Sequence, residues 1–507
     1  MVLLTMNGKK EFGDYQTPKL FANKVCELLS KKYAITPQIV IEPTCGIGNF
    51  LQETLRFNAK LYYGIEINGE YCSYCREKFA DLSNVKILNE NIFEFNIQDI
   101  VFSTEETLII GNPPWITNSE LSKNNSTNLP QKSNIKSYKG FNAITGESNF
   151  DICEYIILSI IEKIKNGNAV VAMLCKSSVA RNIFTEINRR NINYASFSLY
   201  NFNAKKVFNI SASACLLIID FRNCSAVHSQ CIAFDIEAPF KEKRALIYSN
   251  GGMVISNCDD DFWGNCCFEW RQGIKHDCAQ IMELAKNEQY YINGCGEIVN
   301  VESNYIFPLI KSSMIKKPII NSFEKYVIVT QTRVKENTSK ISLIAPKTWE
   351  YLSKHRNRFD SRKSSIYKNS PEFSMFGIGD YSFSKYKVAV SGFYKVPMFS
   401  LLYSSDKPVM CDDTSYFIAF ANYNDAYAAM LTLNTKRVRN FLQTVSFQDS
   451  KRPFTKKLLN RLSFKLILEV IKFNDLLEVE KDYGLQQYIT LEIFNKFKED
   501  VYLLSGF

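Results

Sequence analysis

The chain has 507 residues, enough for two or three domains with substantial cores, and its 46% hydrophobic and 22% charged content is that of an ordinary globular protein. Sixty-one Lys and Arg against 52 Asp and Glu leave a net charge of +9, compatible with a polyanionic partner. Fifteen cysteines with no signal peptide and only three histidines, His228, His276 and His355, argue against a disulfide scaffold, a metal centre and histidine-based catalysis, and place the protein in the cytoplasm.

In chain order, the segment Glu11 to Pro18 precedes a helical pattern that runs to Leu29, with Thr17 and Pro18 as its start. A strand over Gln38–Pro43 follows, ending in Glu42, and then the loop Thr44-Cys45-Gly46-Ile47-Gly48-Asn49 and a helix from about Phe50. Glycines between a strand and a helix let a ligand approach the backbone, but the full dinucleotide fingerprint and the phosphate-binding Gly-Lys loop are both missing. The next strand, Leu61 to Ile65, ends in Glu66, 24 residues after Glu42, where a carboxylate is placed for ribose hydroxyls. Ile67 follows it directly. Cys72 and Cys75 are spaced like a ligand pair but have no second pair, and read as cysteines on a helix face. A third strand over Val85–Leu88 leads into Asn91 and Ile92, and a fourth apolar run stops at Gly111-Asn112-Pro113-Pro114-Trp115.

Two prolines bias Asn112 toward an extended conformation, so its amide and the Pro113 carbonyl can point outward together, beside the face of Trp115. An amide oxygen, a carbonyl oxygen and an aromatic plate suit a planar group that carries an NH2. Four successive strand ends thus present a glycine loop, an acid, a polar–apolar pair and Asn-Pro-Pro-Trp. Downstream, Asn149-Phe150-Asp151 opens an apolar helix, Asn168–Lys176 and Ala212–Asp220 read as strands, and Phe208 lies between them after Lys205 and Lys206.

In these motifs, over about residues 10–220, the chain resembles the class I S-adenosylmethionine-dependent methyltransferases, and among them the DNA N6-adenine methyltransferases whose cofactor motifs precede the catalytic one. The resemblance implies an α/β fold, a Rossmann-like sheet with helices on both faces, over residues 1–225. It implies a cofactor site for S-adenosylmethionine at Thr17, Glu42, Cys45, Gly46, Gly48, Glu66, Ile67, Asn91, Ile92 and Asn112, with Asn91 standing where the family usually has Asp. It implies catalysis through Asn112 and Pro113, with Trp115 and Phe208 stacking a base flipped out of double-stranded DNA. No Pro-Cys pair occurs, which argues against carbon-5 methylation of cytosine through a thiolate. Cytosine N4, RNA and protein glutamine remain alternative acceptors, and a silent DNA-binding subunit is a further alternative.

The polar stretch 116–148 is expected to be a mobile insert at the catalytic motif. Residues 226–507 are expected to form an α+β target-recognition domain, with 223–256 as the connection into it. Arg362–Lys395 interleaves six Lys and Arg with aromatics, and Lys436–Lys457 carries seven against Asp449 alone. From these segments Lys363, Lys385, Lys387, Arg437, Arg439, Lys451 and Arg452 are expected to contact DNA. A cognate restriction endonuclease is the further partner implied; neither a membrane nor a metal is.

Overall fold

A computed structural model describes residues 15–101, 105–116, 151–165, 167–224, 229–249, 252–255, 260–288, 290–446 and 452–506. The chain divides into two compact units, Met1–Asn257 and Cys258–Phe507.

In the first unit the short apolar runs become the central strands of one sheet. They are β1 (Ile39–Glu42), β2 (Leu61–Glu66), β3 (Val85–Asn89), β4 (Thr107–Gly111) and β5 (Ala169–Lys176). β1 and β4 are buried along their whole length, which is why they read as continuous hydrophobic runs rather than as alternating ones. β6 (Ser196–Asn203) and β7 (Ser213–Asp220) follow, and these strands lie in the order β6-β7-β5-β4-β1-β2-β3. β3, β2, β1, β4 and β5 are parallel neighbours, and β7 is antiparallel to both β5 and β6. The helices between strands are α1 (Lys19–Tyr33), α2 (Asn49–Thr54), α3 (Gly69–Lys78), α4 (Ile152–Ile164), α5 (Ser177–Arg189) and α6 (Ala204–Phe208). α1 buries Phe21, Val25, Leu28 and Leu29 and leaves Leu20 exposed.

The expected end of this domain at residue 225 is corrected. The sheet continues through β8 (Gln230–Asp235), β9 (Ala238–Ser249) and β10 (Gly252–Ile255). β8 pairs in parallel with β6, so the backbone of β6 is hydrogen-bonded on both sides instead of forming an open edge. The polar composition of 223–256 hides these strands because part of their surface faces solvent: Phe240, Lys241 and Lys243 of β9 are exposed.

The second unit mixes helices with two sheets. The smaller strings β11 (Arg271–Gln272), β16 (Ile319–Ile320), β18 (Tyr386–Ser391), β19 (Phe399–Leu402) and β21 (Ser415–Phe420) in the order β11-β21-β18-β19-β16. The larger contains β12 (Glu283–Asn287), β13 (Tyr290–Asn293), β14 (Ile298–Val299), β15 (Ile306–Ile310), β17 (Lys325–Ile328) and β20 (Met410–Cys411), in the order β14-β13-β12-β17-β15-β20. The buried helix α7 (Tyr423–Asn434) packs on β18, β19 and β21, and α8 (Lys436–Val445) follows it. No helix among the described residues is long and apolar enough to cross a membrane.

Candidate active site

β1 and β4 are neighbours, but the chain leaves β1 toward β2 on one side and leaves β4 toward β5 on the other. The crevice beyond their carboxyl ends is therefore the topological switch point, where open α/β sheets bind ligands. Glu42, Glu66 and Gly111 are the last residues of β1, β2 and β4.

The glycine loop is held there by a closed set of hydrogen bonds. Cys45 N donates to Ile65 O at 2.9 Å. Gly46 N donates to Glu66 Oε2 at 2.8 Å, and Asn68 N to Glu66 Oε1 at 2.9 Å. Asn68 in turn caps α3, its Oδ1 accepting from Glu70 N and Tyr71 N. From the other side Gln16 Oε1 accepts from Ile47 N at 3.1 Å, and Asn49 Nδ2 donates to Thr17 O at 2.8 Å. Gly46 has φ +52°, a conformation that favours glycine, and a Cβ there would lie 2.6 Å from Gln16 Oε1 and push the Gln16 amide aside.

The cavity above this loop is lined by Tyr15, Gln16, Thr17, Glu42, Thr44, Cys45, Gly46, Glu66, Ile67, Asn68, Tyr71, Asn112 and Pro114, among others. A second hollow shares Thr44, Glu66, Ile67 and Pro114 and adds Asn91, Ile92 and Phe93. Of the expected cofactor residues, all but Gly48 line one hollow or the other. Gly48 lies beneath the loop with φ +70°, where a Cβ would meet the Phe79 ring at 2.8 Å; its role is the turn into α2. Asn91 Oδ1 already accepts from Phe93 N at 3.1 Å in a local turn. Glu42 is buried, accepts from Leu51 N at 2.9 Å, and burial pushes its carboxyl well above the usual range.

Asn112 enters the same cavity from β4. Its Nδ2 donates to Tyr15 O at 2.7 Å, while its Oδ1 is buried and accepts no hydrogen bond from the described residues. Beside it stands a triangle of rings. Trp115 and Phe208 are 5.5 Å apart between centroids at 71°, and Tyr15 lies 6.2 Å from each. The expected pair Trp115 and Phe208 is thus brought together across 92 intervening residues. The expectation that Trp115 offers an open face is corrected: the side chain is 6% exposed, with Phe208 edge-on to it, and Trp115 Nε1 donates to Leu174 O at 3.3 Å. The motif's main chain is clamped by Lys176, whose Nζ donates to Trp115 O at 3.2 Å and to Asp151 Oδ2 at 2.6 Å. Ile152 N donates to Ile116 O at 2.9 Å, so the stretch between them leaves and rejoins at this point. The expected insert 116–148, apart from Ile116, lies outside the described residues.

Tyr15, Gln16, Thr44, Asn68 and Tyr71 are site residues that the sequence reading does not single out. Tyr15 and Gln16 carried a signal, since both fall inside the segment 11–18 noted before α1.

In the second unit, Lys363 and Lys385 are exposed. Lys387 is corrected as a DNA contact. It is 1% exposed on β18, where inward-facing positions are fully packed. Its Nζ donates to Ser384 O at 2.7 Å, and burial lowers its pKa to about 8. Arg437 makes a two-pronged ion pair with Asp260, and Arg439 Nη1 donates to Tyr483 Oη at 2.8 Å. Arg452 stacks over Phe393 at 5.0 Å and donates to Asp413 O at 3.4 Å. These three arginines are engaged within the unit, and Lys451 lies outside the described residues. Among the described residues no group of three or more His, Cys, Asp or Glu could hold a metal ion.

No protein-family profile matches the chain. The chain is 40% identical over 474 residues to the type II methyltransferase M.NspV of Nostoc sp. (strain ATCC 29411 / PCC 7524), covering 91% of this chain and 98% of that protein. It is 26% identical over 190 residues to the modification methylase CviBIII of Paramecium bursaria Chlorella virus NC1A, covering 37% and 44% respectively. Among solved structures, the type IIG restriction endonuclease BpuSI matches 96% of this chain and 64% of its own, at 12% identity and a TM-score of 0.33. With near end-to-end similarity to a type II methyltransferase, and the switch-point cavity in place, the chain belongs to the type II methyltransferase family.

Proposed function

We propose that this protein is a site-specific DNA methyltransferase that transfers a methyl group from S-adenosylmethionine to N6 of an adenine turned out of double-stranded DNA. The observation that carries the reading is Asn112: a buried amide oxygen with no hydrogen-bond partner among the described residues, fixed at the junction of the switch-point cavity and a cluster of aromatic rings. A buried acceptor left unpaired costs free energy, and a site that retains one has a use for it.

The residues of the two hollows fit S-adenosylmethionine. Glu66 presents a carboxylate, an acceptor for ribose hydroxyls, at the cavity wall, and Ile67 and Ile92 supply apolar surface for an adenine ring beside Asn91. Thr17, Glu42 and Cys45 complete the cavity at the methionine end. When bound, the cofactor supplies a methyl group activated by a sulfonium centre.

The protein's part is then positioning and electrostatics. An adenine amino nitrogen is a weak nucleophile because its lone pair is delocalised into the ring. Asn112 Oδ1 and the Pro113 carbonyl accept its two hydrogens and favour the tetrahedral nitrogen that develops during attack, an interaction stronger in the transition state than in the ground state. Stacking against Trp115 and Phe208 offsets the few kcal/mol or so of unpairing and unstacking. Lys176 and Asp151 keep the main chain of the motif rigid while this happens. Lys363 and Lys385 are the exposed cations of the second unit proposed to meet DNA phosphates. A companion endonuclease of the same specificity fits a type II relative.

The test is transfer of labelled methyl from S-adenosylmethionine to mixed-sequence duplex DNA, followed by nucleoside analysis. N6-methyladenine is the expected product. N4-methylcytosine would keep the fold and overturn the base; Asn rather than Ser before Pro-Pro favours adenine. No transfer to DNA would shift the acceptor to RNA or protein.

A further inference from the structure

We infer that Tyr15 is a positioning residue of the acceptor pocket: its ring closes the Trp115–Phe208 pair in the DNA-free protein and gives way to the entering base. The inference rests on the methyl-transfer reading above and adds a residue and a step to it.

The geometry starts from what a stacked base requires. Two rings that sandwich a third lie parallel and about 7 Å apart, twice a van der Waals contact. Trp115 and Phe208 are 5.5 Å apart and nearly perpendicular, so no slot is open between them. Tyr15 sits at 6.2 Å from both, tilted 55° to one and 54° to the other, and so braces the closed arrangement from a third side. Phe208 also has Phe21 at 6.4 Å and Phe202 at 6.1 Å, and among the described residues Tyr15 is the ring it shares with Trp115.

Tyr15 has a main chain that is held by neighbouring segments and a ring held by packing against Trp115 and Phe208. Its carbonyl accepts from Asn112 Nδ2, Gln16 accepts from Ile47 N, and Thr17 O accepts from Asn49 Nδ2. The ring is half-buried, and among the described residues no hydrogen bond ties its hydroxyl. Because the bond that orients Asn112 is made by the Tyr15 backbone, a χ1 rotation that swings the ring out of the cluster leaves that bond's acceptor in place. The same residue fixes the catalytic amide through its backbone and occupies the acceptor pocket through its side chain.

The experiment uses the full chain. The methylated site is first mapped in DNA exposed to the wild-type protein. A duplex is then made with 2-aminopurine at that position, and its fluorescence rise on leaving the stack is followed by stopped flow. Tyr15→Phe, which keeps the ring, is expected to track the wild type. Tyr15→Ala, which has no ring to displace, is expected to speed the rise about three- to tenfold, the value of one or two ring contacts. Because Tyr15 also lines the proposed donor cavity, affinity for S-adenosylmethionine is measured for each variant and the rise is compared at saturating donor. Tyr15→Leu keeps apolar bulk without a ring, and replaces Tyr15→Ala if the latter fails to fold. An unchanged or slower rise in the ringless variant, with donor affinity intact, overturns the proposal. Loss of donor affinity in the Phe and ringless variants alike also overturns it, by assigning Tyr15 to the donor side. If the wild type puts no methyl on adenine, the reaction reading itself fails before any variant is compared.

Discussion

Asn112 Nδ2 donates to the main-chain carbonyl of Tyr15 at 2.7 Å, which determines which end of this amide, proposed as catalytic, faces inward. A carbonyl accepts only from the NH2 end, so Oδ1 is left for the acceptor amine. Asn112→Ala removes both ends, and Asn112→Asp sets a carboxylate oxygen against the Tyr15 carbonyl. Both substitutions are expected to lower the single-turnover rate of methyl transfer by about 10²–10³ or more, the cost of one preorganised polar partner. Calorimetry is expected to show donor binding preserved in Asn112→Ala. Loss of donor binding there would reassign Asn112 to the cofactor.

Glu42 is buried at the end of β1, and its carboxyl is held well above the usual range by desolvation. A folded-state pKa above the unfolded one contributes stability that is present below the unfolded value of about 4.5 and is lost as pH rises through the folded value. Glu42→Gln keeps an acceptor for Leu51 N without a charge to bury. In the donor-free protein, Tm of the variant is expected to exceed wild type by about 2–4 °C or more at pH 8, and the two curves are expected to converge near pH 4. Parallel curves across this range would show that Glu42 does not control the difference.

The parts of the site visible in the sequence are those fixed by local backbone demands. Gly46 and the run Gly111-Asn112-Pro113-Pro114 mark strand ends, because positive φ and paired prolines leave few alternatives. The parallel core strands are visible because both faces are buried. Three things are not legible. Tyr15 gains its place through ring contacts with residues about 100 and 193 positions away, and no local pattern carries that. β8–β10 look like a linker because part of their surface faces solvent. Lys387 looks like a surface cation because one sequence cannot show that β18 is fully packed around it.

That last difference separates two kinds of cation in the second unit. Lys363 and Lys385 are exposed, and replacing both with Ala is expected to weaken DNA binding and to reduce the slope of log affinity against log salt by about 2, one phosphate for each. Lys387→Met is expected to leave the slope alone and to change stability. The Lys387 pKa falls from 10.5 to about 8, so the stability linked to its neutral form is present above 10.5 and is lost as pH falls through about 8. The variant is therefore expected to gain about 1 kcal/mol or more over wild type at pH 7, and progressively less toward pH 10. A changed salt slope in Lys387→Met would return this residue to the DNA contacts.

Lys176 links two parts of the site that are far apart in sequence, Trp115 O at 3.2 Å and Asp151 Oδ2 at 2.6 Å. Asp151 also caps α4, its Oδ1 accepting from Cys153 N, and burial raises its pKa despite the lysine beside it. Lys176→Met leaves a largely buried carboxylate without its cation, and the cost in urea unfolding is expected to be about 2–4 kcal/mol. Lys176→Met combined with Asp151→Asn removes the unpaired charge and is expected to recover most of that stability. The two variants are expected to differ in stability but to share one defect. Neither holds the Trp115 carbonyl, so both are expected to transfer methyl more slowly under conditions where each is fully folded. If the double variant regained wild-type transfer together with stability, the clamp on the motif's main chain would have no part in catalysis, and Lys176 would serve only to neutralise Asp151.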